Sequence, residues 1–372
     1  MPVRYDLQPT CVNLHTHESH PVARRPRLNP SETDDDGHYR SRIRDRTRIA
    51  PRTRSVVKVR EDVPEGSLRG TVVTAAGPSW IVSVGDDLFV CTLSGTVSSP
   101  HSETLVTVGD YVHIVPDTTS NALGDATATI VAVEERRTLL FRKAVGKARK
   151  GQVVVANVDR LCIVVAFVEP DYHRRLIDRY LIAADKGDLD PMIVLNKCEL
   201  IPAEFRQDIV DDFQAYVDIG IPVHFVSAVT GEGLEELRLD LIGVSTLFSG
   251  PSGVGKSSLI NVLTESRQRV GAVSRKYEKG RHTTTAALVI PLPNGGTVVD
   301  SPGIREFGMW ELDLDELPWY FEEFAPFTPS CRFSPCTHTH EPGCAVKQAV
   351  EEGEIDPQRY DSYLQLREEL TS

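Results

Sequence analysis

The sequence predicts a multidomain α/β protein. An N-terminal β-barrel is followed by a mainly parallel sheet flanked by helices, then by a small, mostly helical domain built around a metal ion. Three observations predict this. Between Leu68 and Phe141, short apolar runs alternate with turns containing Gly and Ser, the rhythm of an all-β module. Residues 152–310 alternate strand-like runs with helical stretches, as parallel α/β sheets do. Three of the seven cysteines then fall within the fourteen residues from Cys331 to Cys344.

Composition narrows the classes of function. The 372 residues suit two or three domains at roughly 150 residues each. With 40% hydrophobic and 25% charged residues, the chain has the balance of a soluble globular protein. The longest apolar run, Leu161 to Val168, is eight residues and ends at Glu169, where a membrane span needs about 20. No basic start followed by an apolar stretch opens the chain, so no secretory signal is expected. An odd cysteine count with a cluster points to a metal site in a reducing, cytoplasmic setting, not to a disulfide framework. The net charge of −12 is unevenly spread: residues 1–60 carry +6 and the remainder −18. An acidic body with a basic arm leaves a nucleic-acid partner open.

In chain order, residues 1–61 are expected to be a disordered basic tail. Arg40, Arg42, Arg44, Arg46, Arg48, Arg52 and Arg54 form a dense strip broken only by Asp45 among the charges, either a solvated tail or an RNA-contacting arm. The acidic triplet Asp34-Asp35-Asp36 argues against a transit peptide. Residues 62–142 hold five short strands: two around Ala76-Gly77-Pro78, then DLFVCTL, DYVHIVP and ATIVAVEE. Five strands in about 75 residues suit a Greek-key barrel of the OB type. The segment Arg136 to Lys150, with seven basic residues, reads as a charged linker or as a phosphate-tracking surface. Residues 143–310 offer the strands RLCIVVAF, PMIVLN, PVHFVSA, STLFSG, AALVIPL and TVVDSPG. Motifs sit at the carboxyl ends of several of these, where open α/β sheets bind ligands. Residues 311–372 read as helical, then Cys-rich, then helical again. Asp356-Pro357 starts the last helix, with Tyr360, Tyr363, Leu364 and Leu370 on one face.

The strongest motif is Gly250-Pro251-Ser252-Gly253-Val254-Gly255-Lys256-Ser257, which fits G-x-x-x-x-G-K-[ST] between a strand-like and a helix-like run. Amides from Gly250 to Ser258 would wrap phosphates, Lys256 would reach the β and γ phosphates as the catalytic cation, and Ser257 would ligate Mg²⁺. This loop does not distinguish ATP from GTP. Asn196-Lys197-Cys198-Glu199 does, because it resembles the N-K-x-D element that reads guanine. A carboxylate there accepts bonds from N1–H and the 2-amino group, which adenine does not offer, and sites built for such bonds reject the wrong base. Here the carboxylate is Glu199, one methylene longer than Asp. Ser227-Ala228, with Gly231 beyond, resembles the S-A-x-x-G element that supports the base.

Asp300-Ser301-Pro302-Gly303 resembles the D-x-x-G switch. Asp300 would hold Mg²⁺ through water, and the Gly303 amide would sense the γ phosphate. Upstream, Arg281-His282-Thr283-Thr284-Thr285 offers a threonine for the same ion; Thr284 is the candidate, although spacing alone leaves the three open. Ile304 stands where Ras-type enzymes place a water-orienting Gln. It has no hydrogen-bonding group, so intrinsic hydrolysis is expected to be slow. His282, beside the threonines, is the candidate catalytic group, with loop ordering or a contact from RNA as the alternatives. The order Asn196, Ser227, Gly250, Thr283–Thr285, Asp300 is a circular permutation of the usual GTPase order. Finally, Cys331, Cys336 and Cys344 with His338 or His340 make a Cys₃His set, the usual structural zinc arrangement.

Permuted GTPase motifs, an OB-like barrel before them and C-R-F-x-x-C-x-H-x-x-E-P-G-C after them resemble the RsgA (YjeQ) family over about residues 62–372. The resemblance implies an OB-fold, a circularly permuted P-loop GTPase domain and a zinc-binding domain at 311–372, with His338 as the fourth zinc ligand. It also implies a cytoplasmic GTPase, taken as a monomer without membrane attachment. Such a protein binds the 30S ribosomal subunit and 16S rRNA, assists late maturation of that subunit and releases an assembly factor. It would carry one structural Zn²⁺ and use Mg²⁺ with GTP. The alternatives are an RNA-binding scaffold that binds GTP with little turnover, and a P-loop kinase, which leaves Asn196–Glu199 and Ser227-Ala228 without a role.

Overall fold

The computed structural model describes residues 63–95, 104–121, 124–143, 151–264, 287–300 and 312–371. All of them belong to one compact unit, Ile49–Ser372. The arginine strip and the rest of the basic tail lie outside the described residues.

Strands β1 (Leu68–Ala76), β2 (Ser79–Val84), β3 (Asp87–Leu93), β4 (Tyr111–Ser120) and β5 (Ala126–Val133) form a closed barrel. β1, β2 and β3 run as an antiparallel meander, β3 pairs parallel with β5, and β4 closes the ring by pairing with both β5 and β1. This is the OB-type connectivity that the strand count suggested. Period-2 alternation turns Val72, Val82, Cys91, Val112, Ile114 and Ile130 inward, so Cys91 is a packing residue. In β1, a Cβ at Gly70 would stand 2.5 Å from Val82 Cγ1 and 2.7 Å from the Ser83 carbonyl oxygen. Only glycine fits so close an approach of the neighbouring strand.

In its described part, Arg136–Lys143, the basic segment after the barrel is not a plain linker, and Arg136 is not on a phosphate-facing surface. Arg136 is fully buried and forms a forked pair with Asp110: Nε to Oδ1 at 2.7 Å and Nη2 to Oδ2 at 2.8 Å. Then β6 (Leu139–Lys143) and β7 (Gly151–Ala156) pair antiparallel as a separate ribbon. Leu140, Val153 and Val155 are buried under it, which a solvated linker would not allow.

The central sheet runs β10 (Val223–Phe225), β9 (Asp190–Asn196), β8 (Arg160–Ala166), β11 (Ser245–Ser249), β13 (Thr297–Asp300) and β12 (Leu288–Pro291). Its first five strands are parallel, and β12 is antiparallel to β13. One side chain set, Leu161, Ile163, Val165, Ile193, Leu195 and Leu247, packs with α1 (Arg174–Gly187) and α2 (Arg206–Asp218). The alternate set, Cys162, Val164, Met192, Val194 and Phe248, packs with α3 (Leu234–Asp240) and α4 (Lys256–Leu263). Burial on both faces is why these strands read as continuous apolar runs.

Past Leu312 the helical expectation is corrected. The chain makes three short 3₁₀ turns at Leu317–Tyr320, Glu322–Phe324 and Thr328–Ser330. Pro318, Pro326 and Pro329 recur too closely for an α-helix to run through. Helices α5 (Ala345–Glu351) and α6 (Pro357–Thr371) follow, and Leu317, Phe321, Phe324, Val346, Tyr363 and Leu366 form this domain's core. α6 begins at Pro357 as the Asp356-Pro357 pair suggested. Besides its own domain it packs on α1, whose Ile182 joins the same core.

Candidate nucleotide site and metal centre

The parallel sheet delivers four predicted elements to one edge. Asn196 ends β9, Ser227 follows β10, Gly250 follows β11, and Asp300 ends β13. The register sets Asn196 opposite Ala166, and Asp300 opposite Phe248, two residues before Gly250.

The Gly250–Ser257 loop is shaped by what its glycines must avoid. A Cβ at Gly250 would lie 2.0 Å from the Val164 carbonyl oxygen, and one at Gly255 would lie 2.4 Å from Asn196 Nδ2. Gly253 and Gly255 have φ of 92° and 88°, which side chains disfavour. The loop turns directly into α4 at Lys256, so amides of its first turn face the loop. Lys256 Nζ donates to the carbonyls of Gly250 and Pro251, both at 2.7 Å, which holds the ammonium over the loop. Ser252, Gly253, Ser257 and Ser258 are exposed, while Val254 is buried as the anchor.

Asn196 is buried and joins the loops. Its Nδ2 donates to the Val254 carbonyl at 2.8 Å, and its Oδ1 accepts from the Ala228 amide at 3.2 Å. Lys197, with φ 65°, donates from Nζ to the Glu169 carbonyl at 2.6 Å. Cys198 is buried and its thiol is pushed up to about 12, chiefly by burial, so it acts as packing. Glu199 Oε2 is buried without a hydrogen-bond partner among the described residues. Desolvated carboxylate oxygens call for donors, and the base-reading assignment would supply them. Ser227 Oγ accepts from the amides of Val229 and Thr230 at 3.2 and 2.9 Å, so its hydroxyl shapes the loop that presents Ala228. Burial raises the Asp300 carboxyl above its ordinary range, and the Lys256 charge works against that shift. His282, Thr284 and Gly303 lie outside the described residues, as do Thr283, Thr285 and Ile304.

In the C-terminal domain, ligand atoms of Cys331, Cys336, His338 and Cys344 all lie within 4.8 Å of one another. His338 Nδ1 faces Cys344 Sγ at 3.4 Å and Cys331 Sγ at 3.7 Å. His340 is exposed and turned to Thr339 instead, which separates the two candidate imidazoles. Burial lowers the His338 pKa, keeping the ring neutral and able to ligate. The loop is braced by Glu341, which accepts from the amides of Thr337 and Thr339 at 2.8 and 3.0 Å. Three thiols and one imidazole at this spacing fit a tetrahedral cation.

Known proteins share this layout. A small ribosomal subunit biogenesis GTPase RsgA from Chlorobaculum tepidum is 43% identical over 311 residues, 82% of this chain and 98% of that protein. The chain belongs to the RsgA family. Another RsgA, from Gemmatimonas aurantiaca, is 41% identical over 82% of this chain and 98% of its own. The RsgA GTPase family model matches residues 133–310. Among solved structures, YjeQ from Thermotoga maritima superposes with a TM-score of 0.63 at 31% identity, over 82% of this chain and 99% of that one. YloQ, described as a circularly permuted GTPase, gives 0.61 at 26% identity, over 84% and 98%. As an RsgA-family member the chain is a GTP hydrolase with the permuted order that its motifs showed.

Two supports of this RsgA site were not apparent from motifs. Arg206, in the first turn of α2, pairs with Glu232 at 2.8 Å and reaches the Cys198 carbonyl at 3.4 Å, bracing the Asn196–Glu199 loop. Pro170, just past β8, lies against Gly253 of the phosphate loop, where a Cβ would come within 3.3 Å of Pro170 Cδ. The available signal was position: Glu169-Pro170 leaves the same sheet edge as every predicted element.

Proposed function

We propose that the chain is a cytoplasmic, monomeric GTPase that binds the 30S ribosomal subunit and its 16S rRNA. In this reading it assists late maturation of the small subunit and the release of an assembly factor, hydrolysing GTP slowly alone and faster on the ribosome. Its relatives, small ribosomal subunit biogenesis GTPases, support the ribosomal part. Among the described residues no helix is long and apolar enough to cross a membrane. The observation that carries the reading is Asn196, whose single side chain ties the base-reading loop, the Ser227-Ala228 loop and the phosphate loop together.

The roles follow from position. Amides from Gly250 to Ser258 hold the phosphates, and Lys256 moves from its loop carbonyls onto the β and γ oxygens. Ser257, Thr284 and Asp300 hold Mg²⁺, which when bound offsets charge developing on those oxygens. Asn196, Lys197, Cys198 and Glu199 form the guanine side of the pocket, with Ala228 beside them. The Gly303 amide meets the γ phosphate, and His282 orients the water that Ile304 leaves unheld. Cys331, Cys336, His338 and Cys344 bind one structural Zn²⁺. The working division is 1–61 tail, 62–142 barrel, 143–310 GTPase and 311–372 zinc domain. Phosphate release measured against added 30S subunits tests the function. A rate that climbs with subunit concentration is expected, and a flat rate overturns the ribosomal part.

A further inference from the structure

The segment from Val168 to His173 leaves the carboxyl end of β8 with a different neighbour at each end. At its start, the Glu169 carbonyl accepts from Lys197 Nζ and Pro170 lies against Gly253, so it touches both nucleotide loops. At its far end, Tyr172 OH donates to Asp212 Oδ2 on α2. Arg174, two residues on, donates to Asp212 Oδ1 at 2.8 Å and to Asp356 Oδ1 at 3.2 Å. Asp356 is the residue that caps α6, since the same Oδ1 accepts from the Arg359 amide at 2.8 Å.

α6 carries the contact inward. Arg359 is 2% exposed, donates to Asp178 Oδ1 of α1, and donates from Nε to Glu323 Oε1 at 2.7 Å. Its guanidinium lies 4.7 Å from the Phe321 ring centre and 5.3 Å from that of Tyr216. From the same helix, Tyr360 and Tyr363 donate their hydroxyls to the His338 and Thr337 carbonyls, both at 2.6 Å. One helix therefore grips the metal-binding loop and the GTPase core together.

This junction is buried and crowded with charge. Besides Arg359, the Asp178 carboxylate draws in the hydroxyls of Ser362 and Tyr216, so four ionisable or polar groups share one buried point beside Arg174. Buried charges lose about as much hydration as they regain by pairing. Such a junction adds little net stability for its charge, so a small bias from the segment is enough to shift it.

We propose that the Tyr172–Asp212–Arg174–Asp356 junction is a latch through which nucleotide occupancy sets how firmly α6, and with it the Cys/His domain, is held on the GTPase core. The inference rests on the assignment of Gly250–Ser257 and Asn196–Glu199 as the nucleotide loops. A bound nucleotide engages Lys197 and presses on Gly253, so the segment between them shifts, and four residues later Arg174 feels it. By linkage, docking of α6 changes nucleotide affinity by the same factor. This route is separate from the D-x-x-G switch.

Amide hydrogen exchange on the full chain tests it, without nucleotide, with GDP and with a non-hydrolysable GTP analogue. Exchange in Pro357–Thr371 should change about 5-fold or more on nucleotide binding. Arg174→Gln and Asp356→Asn should abolish that response while Gly250–Ser257 still gains protection. Asn can cap α6 as Asp does, so Asp356→Asn removes the ion pair and spares the helix start. The latch is overturned if α6 ignores nucleotide while the phosphate loop is protected, or if both variants keep the full response. Absence of protection at the phosphate loop itself would instead remove the nucleotide reading, and the latch with it.

Discussion

Arg136 and Asp110 illustrate how far one buried pair can govern a local structure. Asp110 Oδ2 accepts from the Thr107 amide at 2.7 Å, and Arg136 Nη2 reaches the Thr104 carbonyl at 3.2 Å, so the pair pins the loop entering β4. Arg136→Met keeps the aliphatic stem but strands a buried carboxylate. It should cost about 3–5 kcal/mol, read as a lower denaturation midpoint, and adding Asp110→Leu should restore most of it. A double variant as unstable as the single one would mean that the pair's hydrogen bonds to the loop, not charge compensation, carry the stability. A catalytic counterpart is His282. Under the proposed role, His282→Ala keeps GTP and 30S binding but loses stimulated turnover on the order of 10²-fold or more. Stimulated turnover that survives the substitution would transfer the water-orienting role to the ribosome.

At the level of elements, what was legible depended on how local the physics is. The barrel and sheet strands were readable because each is a short apolar run closed by turn residues. The shape of the Gly250–Ser257 loop was readable because its glycines answer to the backbone and to immediate neighbours. The β6–β7 ribbon was not, because Arg142, Lys143, Lys147, Arg149 and Lys150 make its text look like a solvated linker. The docking of α6 was equally hidden: Arg359 and Asp178 are 181 positions apart, and each alone reads as a surface charge. Lys197's partner is a main-chain carbonyl, which no side-chain motif advertises. The metal-binding loop shows the same division, since its Cys spacing was legible and the tyrosine bonds from α6 were not. Removing the proposed zinc should loosen Cys331–Cys344 and weaken 30S binding, while nucleotide affinity changes by no more than the roughly 5-fold coupling carried through α6. Chelation followed by parallel titrations of nucleotide and 30S subunits checks this. Loss of GTP binding in step with zinc would show that the domain completes the nucleotide pocket.

Across the whole molecule, the barrel, the GTPase sheet and the C-terminal domain form a continuous body: β1 pairs with β12 at Thr74 and Leu288, and α6 packs on α1. That body is acidic, with −18 over residues 61–372, whereas residues 1–60 carry +6. A ribosomal partner presents a dense phosphate surface, so the body's net field opposes approach and the arm's field favours it. Deleting residues 1–61 removes no predicted nucleotide-site residue, so intrinsic GTP hydrolysis should be unchanged. Association with 30S subunits should respond differently. Each arginine that neutralises a phosphate releases counterions and adds about 0.7–0.9 to the slope of log affinity against log salt. The seven arginines from Arg40 to Arg54 would together add about 5–6 if all were engaged. The truncated chain should therefore bind more weakly at low salt and with a shallower slope, the two curves converging as salt rises. Binding measured from low to moderate salt for both chains decides the matter. Parallel lines would mean that the arginine strip touches no phosphate and that the acidic body carries the whole interaction through specific contacts.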